Sequence, residues 1–192
     1  MKLYYSPGAC SLASHIALIE GGDDYAKTKV DLKSHTTEEG KDFYAISPRG
    51  YVPAIETEYG LMTENPAVLT YIAERTGALP DGAEYYDLLE WIGFIGTELH
   101  KNFGPLFAGD SDDRKARARD MLAEKYRLAE RLIGGADWLV GDSPTVADNY
   151  LLVTLLWADK FGIDLPQSLK ELRARNLDRD AVKQAMREEG LG

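Results

Sequence analysis

Met1-Lys2-Leu3-Tyr4-Tyr5-Ser6-Pro7-Gly8-Ala9-Cys10-Ser11-Leu12-Ala13-Ser14 decides how this chain is read. A short strand over residues 2–5 runs into a Pro-Gly turn and then a helix over 10–20. Leu12, Ile16 and Ile19 recur at helical spacing, and Gly21-Gly22 is the stop. The turn delivers Cys10, the only cysteine, to the helix start. A helix start carries unpaired N–H groups and the positive end of the helix dipole. Both favour thiolate over thiol, so a reactive or ligand-contacting sulfur suits this position. A small buried residue that merely fills space suits it equally well.

Composition sets the frame. The 192 residues allow one large or two small domains, and 44% hydrophobic residues are enough for a real core. One cysteine rules out an internal disulfide and points to a reducing, cytoplasmic setting. No basic start followed by an apolar run marks a signal peptide, and no stretch reaches membrane-span length. A net charge of −10 argues against nucleic acid as a partner, and means that an anionic ligand needs local donors. Three histidines and one cysteine, far apart, give no zinc spacing, and no metal site is expected. Phosphate-loop and Gly-x-Gly-x-x-Gly patterns are absent.

Working outward, residues 25–30 read as a second strand and 36–44 as a short polar helix. Residues 54–57 and 61–62 form a hairpin about Glu58-Tyr59-Gly60, and 64–76 a helix with Val68, Leu69, Ile72 and Ala73 on one face. Leu79-Pro80-Asp81-Gly82 is the domain boundary. Beyond it the chain reads as helical: 85–103 with Leu89, Ile92, Ile95 and Leu99 on one face, 112–132 charged outside, 145–160 apolar nearly all round, then 167–174 and 180–188. Thr145-Val146-Ala147-Asp148 is a capping box that starts the apolar helix. The expected fold is an α/β thioredoxin-like domain, βαβαββα, over residues 1–78, then an all-α domain over 84–192. That fold opens its third strand with a cis proline beside the thiol, and Val52-Pro53 is the candidate. An ordinary trans proline at a strand start is the alternative.

Several stretches resemble the glutathione S-transferases, the bacterial beta class above all. They are residues 1–18, 30–32, Gly50-Tyr51-Val52-Pro53-Ala54, 61–64, Glu90-Trp91, Thr97-Glu98-Leu99-His100-Lys101, 105–107, 145–148, Ala181-Val182 and 189–191, spanning essentially the whole chain. The resemblance implies a cytoplasmic homodimer that binds glutathione as co-substrate, with no cofactor. It joins the thiolate to a small apolar electrophile, held in a pocket at the domain interface. A glutathione-dependent disulfide reductase, or a non-catalytic ligand-binding protein of the same fold, are the alternatives.

By the same resemblance Cys10 contacts the sulfur of glutathione, or forms a mixed disulfide with it that a second glutathione resolves. Tyr5 and Ser11 lie where other classes place the thiolate's donor. Val52, before Pro53, pairs through its backbone with the ligand's cysteinyl residue. Glu64 suits the ligand's ammonium group, and the helix start at Glu64-Asn65 receives its γ-glutamyl carboxylate. Asn65-Pro66 departs from the family's Gly-Val, and His35 replaces a Lys that binds the glycine carboxylate. Histidine adds charge only when protonated, so affinity is expected to weaken as the imidazole loses its proton. His100 is the second catalytic candidate, as thiolate donor or thiol base. Gly93 replaces a usual Asn, Phe107 and Trp157 are candidate walls of the electrophile pocket, and His15 reads as structural.

Overall fold

Strand β1 (Lys2–Tyr5) buries three consecutive side chains, Leu3, Tyr4 and Tyr5. A strand covered on both faces reads this way, and β1 lies at the centre of a sheet ordered β3-β2-β1-β4-β5. The computed structural model describes residues 1–191. They form two units: Met1–Leu79 with the stretch beginning at Arg179, and Pro80–Asp178.

In the first unit, α1 (Ser11–Gly21) carries the chain from β1 to the parallel strand β2 (Ala26–Asp31), with Leu3 opposite Lys27. Strand β4 (Ala54–Thr57) runs antiparallel on the other side of β1, with Leu3 opposite Ile55, and β5 (Gly60–Thr63) completes the hairpin. Helix α2 (Asn65–Arg75) follows and packs against α1. Leu12, Ile16, Leu18, Ile55, Leu69 and Ile72 are fully buried between these elements.

The short helix expected over 36–44 does not form. Thr36–Thr37 instead pair with β2 as a two-residue strand, β3, with Val30 opposite Thr37. β-branched residues suit an edge strand, and Gly40 at φ 80° turns the chain back. Phe43 then drops into a cluster with Tyr4, Val30, Val52 and Ala54, its N–H bonded to the His35 carbonyl at 2.8 Å.

The second domain was expected to run to residue 192, yet the last helix belongs to the first unit. Helix α8 (Asp180–Glu189) packs on α1. Its buried Glu189 pairs with the buried His15 Nδ1 at 2.9 Å and accepts the Gly8 N–H at 2.9 Å. His15 Nε2 also meets Glu188 at 3.1 Å, so His15 is structural, as expected.

The second unit is all helical. The single helix expected over 85–103 is broken into segments: α3 (Ala83–Phe94), a π-helical turn at Ile95–Leu99, a 3₁₀ turn at His100–Phe103 and α4 (Gly104–Phe107). Thr97 Oγ1 bonds the Gly93 carbonyl at 3.0 Å, and Asn102 Nδ2 bonds the Glu98 carbonyl at 2.7 Å. Such side-chain competition for carbonyls loosens the regular ladder, and π turns gather at functional sites. The buried stripe is Leu88, Ile92, Ile95 and Leu99; Leu89, expected on it, is exposed. Helix α5 (Asp112–Ile133) turns Ala118, Leu122, Tyr126 and Ala129 inward. Helix α6 (Val146–Lys160) is buried nearly all round and starts with the expected capping box: Thr145 accepts the Ala147 N–H at 3.3 Å, and Asp148 accepts the Thr145 N–H at 2.8 Å. Helix α7 (Gln167–Leu177) closes the unit. Among the described residues no helix is long and apolar enough to cross a membrane.

Candidate active site

The β1–α1 turn is tight: the Ala9 N–H bonds the Ser6 carbonyl at 3.0 Å, and the Ser11 hydroxyl accepts the Ser6 N–H at 3.2 Å. Ser11 is buried in this duty, and Tyr5 packs its ring against His15 at 5.7 Å between centroids. Cys10 stands at the helix start, and the Val52–Pro53 bond beside it is cis. The thiol donates to the Val52 carbonyl at 3.0 Å. Burial pushes the Cys10 thiol up to about 12; the backbone N–H groups of Cys10 and Ser11 pull the other way, and the Glu64 charge adds to the rise. The pull of the helix start towards a thiolate is thus opposed by burial. Loss of water opposes the helix terminus and favours the thiol, which is directed at the Val52 carbonyl.

Asn65 is buried and holds this thiol segment from the other side. Its Nδ2 donates to the Cys10 carbonyl at 3.1 Å, and its Oδ1 accepts from the Ser14 hydroxyl at 3.3 Å. Glu64, at φ 74°, caps α2 in a conformation rare for a side-chain-bearing residue, and its carboxylate pairs with Arg49. His35 also sits at positive φ, 51°. Its Nδ1 lies 3.1 Å from the Gly50 carbonyl and its ring stacks on Tyr44 at 4.4 Å. A carbonyl only accepts, so Nδ1 carries the proton and the neutral ring presents a lone pair at Nε2. Gly50 is required here: a Cβ would come within 2.5 Å of the Tyr44 ring.

The second unit gathers its own candidates. His100 Nδ1 lies 2.6 Å from the Tyr150 hydroxyl, and its ring meets Trp157 at 5.0 Å. Phe107 packs edge-on against Trp157 at 4.9 Å, with the Lys160 ammonium 5.4 Å above its ring. Trp157 is buried while Phe107 is half exposed, so Phe107 is the one that presents apolar surface. Space around the Gly93 Cβ position is open, as loss of a larger side chain there would leave it. Among the described residues no cluster of His, Cys, Asp or Glu could hold a metal ion.

The family model "Glutathione S-transferase, C-terminal domain" matches residues 94–174. Glutathione S-transferase GstA of Escherichia coli O157:H7 is 38% identical, with all of both chains covered. The chain belongs to the glutathione S-transferase family. Two solved structures give the same result over all of each chain: a sphingomonad glutathione S-transferase complexed with glutathione (42% identity, TM-score 0.94) and the beta-class enzyme of Sphingomonas chungbukensis (39%, TM-score 0.94). Sequence reasoning about this transferase missed two residues. Arg49 pairs with Glu64, the residue that precedes α2, and nothing local in the sequence links the two. Tyr150 was hidden inside an apolar helix, where nothing in the sequence links it to His100.

Proposed function

We propose that this transferase binds glutathione on its first unit and joins the glutathione sulfur to a small apolar electrophile. The observation that carries the reading is the Cys10 thiol at the helix start, donating to the Val52 carbonyl at 3.0 Å beside the cis proline. A thiol that donates can stabilise another sulfur as thiolate; a disulfide reductase needs Cys10 itself ionised. The glutathione sulfur then gives its electron pair to an electrophilic carbon, an S–C bond forms, and the leaving group departs with the pair of the broken bond. The freed thiol proton goes to solvent.

The ligand's ends fit the remaining residues. Glu64 takes the ammonium group, and the exposed Arg49–Glu64 pair is weak enough to yield to it. The ligand's cysteinyl backbone pairs at Val52, and His35 faces its glycine carboxylate. Because Asn65 spends its side chain on Cys10 and Ser14, its part in binding is to hold the thiol segment. Phe107 gives the second substrate an apolar wall, backed by the buried Trp157. The same reading makes the protein a homodimer of the cytoplasm, with glutathione as co-substrate and no resident cofactor.

The test is conjugation of glutathione to a chloronitrobenzene by the wild type, Cys10→Ala and Cys10→Ser. A clear wild-type rate, a drop of roughly ten- to a hundredfold in Cys10→Ala and partial recovery in Cys10→Ser are expected, since a donor to a charged sulfur is worth about 1.5–3 kcal/mol. Disulfide reduction that outpaces conjugation and vanishes in both variants would replace this reading with the reductase one.

A further inference from the structure

We infer that Lys160 selects the second substrate: the electrophile taken at Phe107 is an aryl ring that carries an anionic group, a carboxylate above all, which the Lys160 ammonium receives. Lys160 ends α6, and Phe107 ends α4. The ammonium stands 5.4 Å from the centre of the Phe107 ring and 5.7 Å from that of Phe161. These two rings meet edge-on at 4.9 Å, and Phe107 is 49% exposed. A half-exposed ring with a cation beside it matches a ligand that is planar and apolar in its body and negative at one edge.

The surrounding acids are already occupied. Asp159, the sequence neighbour of Lys160, pairs with Arg173 at 2.9 Å, and Asp164 pairs with Lys170 at 2.8 Å. Asp110, just beyond Phe107, pairs with Arg114 at 2.8 Å. Among the described residues Lys160 makes no ion pair, and its contacts are the two rings. At an exposed site such ring contacts are weak, and they yield to a carboxylate, the stronger partner of an ammonium. A second cation, Arg119 of α5, adjoins Phe161 and donates from Nε to its carbonyl at 3.3 Å. An aryl ring packed on Phe107 has its centre about 4.5–7 Å away, and a carboxylate on its rim falls within reach of the flexible lysine stem. A lysine in the last turn also complements the helix dipole. That duty needs no neighbouring ring and does not discriminate between substrates. The inference rests on Phe107 as the wall of the second-substrate site proposed above.

The experiment compares conjugation of glutathione to a chlorodinitrobenzoate and to the matching chlorodinitrobenzamide by the full chain, each rate taken relative to the uncatalysed one. Both compounds lose chloride with the bonding electron pair as the S–C bond forms, and they differ in charge at one ring substituent. The kcat/KM for the benzoate divided by that for the benzamide should fall roughly two- to fivefold in Lys160→Met, as for the loss of an exposed ion pair. It should fall further in Lys160→Glu and be kept in Lys160→Arg. An equal ratio in the wild type and Lys160→Met overturns the inference, because a lysine that serves only the fold slows both substrates alike. Failure of the wild type to conjugate either compound would instead defeat the transferase reading, and binding then decides. A dinitrobenzoate without the chlorine should quench tryptophan fluorescence at lower concentration in the wild type than in Lys160→Met, since Trp157 packs on Phe107 at 4.9 Å. Quenching at the same concentration in both proteins overturns the inference whether or not conjugation is seen.

Discussion

Replacing Asn65 with Ala should loosen the segment that carries Cys10. The side chain makes two hydrogen bonds, at 3.1 Å to the Cys10 carbonyl and 3.3 Å from the Ser14 hydroxyl, and both partners sit at the start of α1. Each is worth about 1 kcal/mol, so Asn65→Ala should cost about 2 kcal/mol, and more if the buried Ser14 hydroxyl is left unpaired. One relaxation works against this. Cys10 lies four residues before Ser14, so the freed hydroxyl can turn onto the Cys10 carbonyl, as helical serines do. That recapture would bring the cost down to about 1 kcal/mol. Urea unfolding of Asn65→Ala, Ser14→Ala and the double variant separates the cases. With recapture, adding Ser14→Ala to Asn65→Ala destabilises further; without it, the second change is nearly neutral or restores stability, because it removes an unsatisfied group. An Asn65→Ala midpoint indistinguishable from wild type would refute the argument that this side chain anchors the thiol segment.

Two other outcomes follow from the charges. His35→Lys should tighten glutathione binding roughly threefold to tenfold by calorimetry, because a Lys presents donors and charge where the neutral imidazole presents a lone pair; unchanged or weaker binding would remove His35 from the ligand's carboxylate. Glu188 is held down at about 2 against its ordinary 4.5, through its bonds to Lys27 and Gln184 first and with help from His15. A depressed acid stabilises the fold above its unfolded value and loses that effect as the pH falls through the folded one. Lys27→Met should therefore lower the urea midpoint at neutral pH, and the difference from wild type should shrink as the pH falls from 4.5 towards 2; a difference that grows with acid would contradict the assignment.

Local pattern carried much of the fold. Whereas the cis bond at Val52–Pro53 was expected from the fold, the strand–turn–helix around Cys10 and the Thr145–Asp148 capping box are set by residues within a few positions of one another. These could be read directly. The same holds for α5, long and charged on its outer face, and for α6, apolar nearly all round. Residues 36–44 were misread because a polar stretch has no period of its own, and its pairing with β2 and the burial of Phe43 come from distant chain.

Other features depend wholly on tertiary structure. Helix α8 looks like the end of the helical domain by sequence order, but His15 and Gly8 give Glu189 its partners in the first unit. The π turn before His100 arises from side chains competing for carbonyls within a run whose apolar spacing still reads as one helix. Cys10 shows the division most sharply. By itself the sequence determined that a lone thiol would sit at a helix start, which alone favours a thiolate. Only the folded surroundings oppose that preference, because desolvation depends on every group that excludes water from the sulfur, and those groups are scattered along the chain. Tyr150 meets His100 for the same reason: fifty residues separate them in sequence, and helix packing alone brings the hydroxyl to the ring.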